Sequence, residues 1–211
     1  MMDATRVLTA AAVDLGETAI WFGIMAPGVR RLERATAQLA GLRLLLLRLG
    51  DRTSGVYDLG WSMLVPSGKG GYFNIQHAEN VGSSGSFGLE VTFAGGTVTA
   101  VAAGQTLTTA YVPGEWTDVL INVDLENDVA ALFINGTSLI TWEFRYNTAN
   151  AEVTPQLGAI DFFSYGGGTD MGEAYVDDVS FVQTSAGGIG ISENMAGMLR
   201  VYPNPVQDVV T

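Results

Sequence analysis

Cysteine is absent from this chain. No disulfide, thiolate metal site or thiol nucleophile is available, so packing and hydrogen bonding must hold the fold together. Histidine is almost absent: His77 stands alone among 211 residues, with no second histidine to share a metal. That argues against a transition-metal centre and gives no basis for naming a Ser/His/Asp triad. Positive charge is scarce and unevenly placed. Ten Lys and Arg face 22 Asp and Glu, for a net charge of −12. Residues 1–52 hold seven of the basic residues, whereas residues 53–211 hold only Lys69, Arg145 and Arg200 against seventeen acids. The summed field of such a body repels nucleic acid and anionic membrane, and it suits either plain solubility or an environment rich in divalent cations. Long apolar runs are missing too, so no membrane-spanning helix is expected. The first apolar stretch is interrupted by Asp14 and Glu17 and follows no basic region, which is not the pattern of a signal peptide.

What is present points to strands. Hydrophobic residues make up 47% of the chain beside 27 glycines, the mixture of β-rich segments and many turns. The stretch from Gly114 to Gly136 shows the pattern most plainly. Val119, Ile121 and Val123 alternate with more polar neighbours, Glu126-Asn127-Asp128 supplies a turn, and Asn135-Gly136 is a two-residue hairpin signal. Tyr57, Leu59, Trp61, Met63 and Val65 likewise fall on one face of a strand that Pro66 stops. Trp61 and Trp142 both sit on apolar faces and are expected in the core rather than on a sugar platform. The Leu44–Leu47 run reads as a buried strand, although a helix fits its pattern as well.

Gly-x-Trp before one strand and Leu-Phe-Ile-Asn-Gly at the end of the next (Gly114 to Trp116 and Leu132 to Gly136) is similar to the central hairpin of laminin-G-like and concanavalin-like jelly rolls. The resemblance implies an all-β, antiparallel two-sheet sandwich over residues 43–183. Residues 1–42 differ in composition, being rich in Ala, Leu and Arg. Leu32, Ala35 and Leu39 space out a short amphipathic helix within Val29 to Leu39, and the segment reads as an upstream remnant or a translation outside the natural frame. Residues 184–198 are a Gly/Ser/Ala-rich linker.

Three groups of residues are candidates for function. Phe73 and Ile75 should point inward, which leaves Tyr72, Asn74 and Gln76 together on the opposite face. Asp161, Phe163 and Tyr165 share one face of a later strand in the same way. If the two faces adjoin, rings and amides stand side by side, the chemistry that stacks on and hydrogen-bonds a sugar; an ordinary solvated face or a core-facing Phe163 is the competing reading. Second, Tyr175-Val176-Asp177-Asp178-Val179-x-Phe181 resembles the last strand of many carbohydrate-binding jelly rolls, where an aspartate often binds a structural calcium or anchors a loop. Alternation puts Asp177 on the apolar face with Tyr175, Val179 and Phe181. Asp177 and Asp178 are therefore candidate calcium ligands, with a hydrogen-bonded anchor as the alternative. Third, Tyr202-Pro203-Asn204-Pro205 after the linker resembles the opening of the C-terminal sorting domain of type IX secretion cargo. Only the opening of such a domain, residues 199–211, is expected here. It implies type IX machinery as a partner and a secreted or cell-surface protein.

No catalytic residues are nominated. Glucanases on concanavalin-like sandwiches carry closely spaced Glu-x-Asp-x-x-Glu strands, and no such strand occurs; Glu90, Glu115, Glu143 and Asp161 lie far apart in sequence. The expectation is a non-catalytic module that binds a glycan or an extracellular protein, with a purely structural role as the alternative and a glycan hydrolase a distant third. No cofactor other than calcium is implied.

Overall fold

The computed structural model describes residues 10–13, 37–40, 44–79, 86–165 and 171–184. They form an antiparallel β-sandwich, as expected. Its strands are β1 (Ala10–Val13), β2 (Ala37–Ala40), β3 (Leu44–Arg52), β4 (Val56–Leu64), β5 (Lys69–Gln76), β6 (Phe87–Ala94) and β7 (Thr97–Ala102). They continue with β8 (Gln105–Ala110), β9 (Trp116–Asp124), β10 (Val129–Ile134), β11 (Thr137–Trp142), β12 (Leu157–Ser164) and β13 (Met171–Thr184). The front sheet runs β1-β3-β12-β5-β6-β7-β8, and the back sheet runs β2-β13-β4-β9-β10-β11. The two meet at a short parallel bridge, where Lys69 and Gly70 pair with Met171 and Gly172. Among the described residues no helix is long and apolar enough to cross a membrane.

Alternation dictates the packing. Leu59, Trp61 and Met63 of β4 and Val119, Ile121 and Val123 of β9 turn inward to meet Phe73 and Ile75 of β5 and Ile160 and Phe162 of β12. Trp61 is the pivot. Its indole stands edge-on to Phe73 at 4.7 Å and to Phe162 at 5.1 Å, the T-shaped geometry that the ring quadrupole favours. Each such ring contributes about 1.5–3 kcal/mol by leaving water. Trp142 is buried in the same core. The front sheet ends at β8, where a largely exposed Thr-rich strand leaves a solvated edge.

The central hairpin forms as its turn residues require. Asn135 and Gly136 both take positive φ, 49° and 75°, as a type I′ turn demands. Asn135 also locks the register, because its Oδ1 accepts the Asp118 N–H at 2.9 Å. At the preceding turn, Asp124 accepts the backbone N–H groups of Glu126 and Asn127, each at 3.0 Å.

Two expectations are corrected. The proposed helix over residues 29–39 fails at its end: residues 37–39 lie in β2 and pair with β13, since edge pairing outweighs the weak propensity of a short segment. The rest of that helix lies outside the described residues. Separately, β11 ends at Trp142, and beyond it Arg145 turns back to Asp128. Arg145 is held chiefly by Asp128, through side chain and backbone alike, with Glu143 at 3.4 Å as a lesser partner. Finally, Asp177 does not face the core. The register of β13 advances three residues from Asp177 to Ser180 while β4 advances two, from Ser62 to Gly60. This bulge, with Asp178 at φ 53°, reverses the alternation. Ala174 and Val176 point inward before it, and Val179 and Phe181 pack on the core after it.

Candidate functional site

The inward residues of β5 and β12 force their neighbours onto the outer face of the front sheet. The pairing then decides which of them meet. Tyr72 lies opposite Phe163, Asn74 opposite Asp161, and Gln76 opposite Ala159. The two faces that the sequence could only suppose to adjoin are therefore directly cross-strand, where side chains are close enough to interact. Tyr165 follows the end of β12 and is fixed by a close approach: its N–H donates to Gly70 O at 3.2 Å. A Cβ at Gly70 would lie 2.0 Å from the Tyr165 carbonyl oxygen, so only glycine allows this approach.

The rings form one cluster. Tyr72 and Phe163 lie 4.1 Å apart, tilted by 32°, and Tyr72 and Tyr165 lie 6.3 Å apart at 34°. Exposure rises along it. Tyr72 is buried, Phe163 is half-buried, and Tyr165 is 37% exposed. Beside the rings the polar groups form a floor. Asn74 and Gln76 are buried, and Asp161 is only 6% exposed. Burial pushes the Asp161 carboxyl up to about 6, with the Asn74 amide pulling the other way. The Tyr72 hydroxyl donates to Glu90 Oε1 at 2.7 Å and accepts from Asn74 Nδ2 at 3.3 Å. Burial and the bond to Glu90 push the Tyr72 phenol well above its ordinary range. Neither Asn74 Oδ1 nor Asp161 Oδ1 has a hydrogen-bond partner among the described residues.

Glu90 is the residue that sequence reasoning missed. It pairs with Asn74 from β6, on the side away from Asp161. Period-two alternation over residues 87–93 sets Glu90 opposite in sense to Leu89 and Val91. The missing information was that β6 lies next to β5, with its outer face continuing theirs.

His77 belongs to the framework. Its Nε2 lies 2.7 Å from Phe144 O and its Nδ1 3.1 Å from Ser86 O, and its ring centre lies 4.7 Å from that of Phe144, the two planes tilted by 49°. Burial holds its pKa below the usual value. Both ring nitrogens face carbonyl oxygens, and the neutral ring can donate to one of them.

The case for calcium at Asp177 and Asp178 loses its premise, because the bulge takes Asp177 off the apolar face. Its Oδ1 accepts the Asp178 N–H at 2.8 Å, capping the bulge. Among the described residues no three acidic or histidine side chains gather as a metal site. The motif Tyr202, Pro203, Asn204 and Pro205 lies outside the described residues.

No family model matches the sequence, and no curated protein is detectably similar to it. Solved structures do match. A family 7 alginate lyase, A1-II′, superposes with a TM-score of 0.54 at 15% identity, covering 82% of this chain and 86% of the lyase. The binding domain of botulinum neurotoxin serotype D gives 0.53 at 11% identity; 90% of this chain matches 47% of that domain, so the chain spans about half its length. The alginate lyase AlyC3 gives 0.50 at 12% identity over 72% and 74% of the two chains. At such identities the likeness establishes the fold alone, a jelly-roll sandwich.

Proposed function

We propose that this domain is a non-catalytic module that binds a glycan on the outer face of its front sheet. The observation that carries the reading is the pair of buried acceptors, Asn74 Oδ1 and Asp161 Oδ1, left without partners beside a ring cluster that opens to solvent at Tyr165. Buried polar atoms of folded proteins nearly always find a partner. Sugar hydroxyls are donors of the required kind, and the apolar faces of pyranose rings suit the aromatic rim. Two of the fold neighbours are lyases of a polysaccharide by name, which agrees with a surface that receives sugar chains. A glycan array probed with the wild-type domain tests the reading. Binding to at least one class of oligosaccharide is expected. Silence across the array would overturn it and leave the protein-contact alternative, for which Trp116 (45% exposed) and Leu120 (40%) on the back sheet are the available apolar residues.

We also propose that the domain is carried to the cell exterior as part of a type IX secretion cargo, on the strength of the Tyr202-Pro203-Asn204-Pro205 motif after its glycine-rich linker. In a host with that machinery the protein should appear in the medium or at the surface. Retention inside cells with the machinery intact would count against this.

A further inference from the structure

The same face carries information about which glycans it admits. We infer that the site accepts uncharged sugar chains and rejects polyuronates, the class to which alginate belongs, because its floor presents carboxylates and acceptors where a uronate would bring a third anion. This rests on the glycan-binding reading above and narrows it.

Asp161 on β12, Asn74 on β5 and Glu90 on β6 are in register, so two acids flank one amide across adjacent strands, about 10 Å apart along the sheet from the usual strand spacing. Both amide protons and hydroxyls can satisfy such a row from the ligand side. A carboxylate cannot, since it only accepts. The orphaned atoms at the centre, Asn74 Oδ1 and Asp161 Oδ1, are acceptors as well, so every open valence on the floor asks for a donor. At neutral pH Asp161, at about 6, is still ionised.

Among the described residues no basic side chain stands in the row of the acids itself. On β3 Arg48 is opposite Ala159, in the row of Gln76 and not in the row of the acids. The Arg52 Nε is held by Leu49 O at 2.9 Å. Lys69 is occupied by Glu173 at 3.1 Å. A uronate entering over Asn74 would therefore sit against like charge in a partly dry setting, where repulsion is weakly screened. The fold neighbours that bear alginate in their names share the sandwich; the acidic floor here belongs to this chain's own residues.

The test compares neutral gluco-, xylo- and manno-oligosaccharides with matched oligomannuronate and oligogalacturonate, by calorimetry on the full chain. At least one neutral series should bind ten times or more tighter than either uronate. That preference should persist at about 0.5 M NaCl, because buried charge is little screened, whereas repulsion by the overall negative field would vanish there. In the isosteric double variant Asp161→Asn/Glu90→Gln the preference should shrink to threefold or less. Equal or tighter binding of a uronate by the wild type overturns the inference and leaves glycan binding standing. A preference that disappears with salt also overturns it, assigning discrimination to net charge. Absence of binding to every oligosaccharide overturns both this inference and the reading beneath it.

Discussion

The ladder between β5 and β12 has two faces built from the same backbone, and they differ in one respect that matters. On the inner face Phe73 meets Phe162 and Ile75 meets Ile160. On the outer face Tyr72 meets Phe163 and Asn74 meets Asp161. Most of these side chains are buried on either side. Inside, burial removes mostly apolar surface from water, and the polar atoms unpartnered there among the described residues, the Trp61 Nε1 and Ser164 Oγ, are neutral. Outside, it also strips solvent from polar atoms without giving each a partner, which costs stability. The inner face holds the sandwich together. The outer face keeps a row of open acceptors, as a surface waiting for donors does.

That contrast can be broken from either side. The largest effect is expected inside. Phe162→Ala removes a ring that Trp61 and Phe73 both touch, and should cost about 3–5 kcal/mol in urea denaturation. A cost under about 1 kcal/mol would mean that the inner face is not what stabilises the fold.

Outside, Asp161→Asn should raise stability at pH 7 by about 1–2 kcal/mol, because it removes a buried charge without changing shape. The sign of the pH dependence follows. The folded pKa of Asp161 is raised from 3.8 to about 6, so its favourable contribution is complete below the unfolded value and is lost as pH rises through about 6. His77 runs the other way. Its folded pKa is lowered from 6.5, so its contribution is present above 6.5 and lost as pH falls through the folded value. The difference between wild type and Asp161→Asn cancels the His77 contribution. It should therefore shrink as pH falls from about 6 towards 4; a difference that stays flat would remove the buried charge from the account.

The smallest change in stability is expected at the rim. Tyr165→Ala should leave stability within about 0.5 kcal/mol, yet weaken glycan affinity about tenfold, the worth of one stacked ring. Equal losses in both would show that Tyr165 is structural and that the two faces are not separable.

Much of this was legible in the chain. Period-two alternation gave the inward set of β4, β5, β9 and β12, and Asn135-Gly136 gave the hairpin, because each depends only on neighbours within a few residues. The candidate residues on β5 and β12 were legible as two separate faces. Their meeting was not, since it depends on the pairing of strands more than eighty residues apart in sequence. Glu90 escaped for a different reason: its strand follows β5 in the chain, but the register that sets Glu90 opposite Asn74 is fixed by the pairing of β5 with β6, across the loop between them. Asp177 was misplaced by a local event, one extra residue at a bulge, which alternation cannot foresee when Asp178 takes a conformation that aspartate tolerates but does not announce.

By itself, then, the order of residues determined that the chain is built of strands, which side chains of most strands are apolar on one side, and that neither thiol chemistry nor a histidine metal cluster is open to it. Those are consequences of composition and short-range geometry. Only the tertiary structure decided that Tyr72, Asn74, Glu90, Asp161 and Phe163 share one surface, and that the acceptors among them are shut away from solvent. Strand order and register are settled by the packing of the whole core, in which each strand's choice of neighbour depends on all the others.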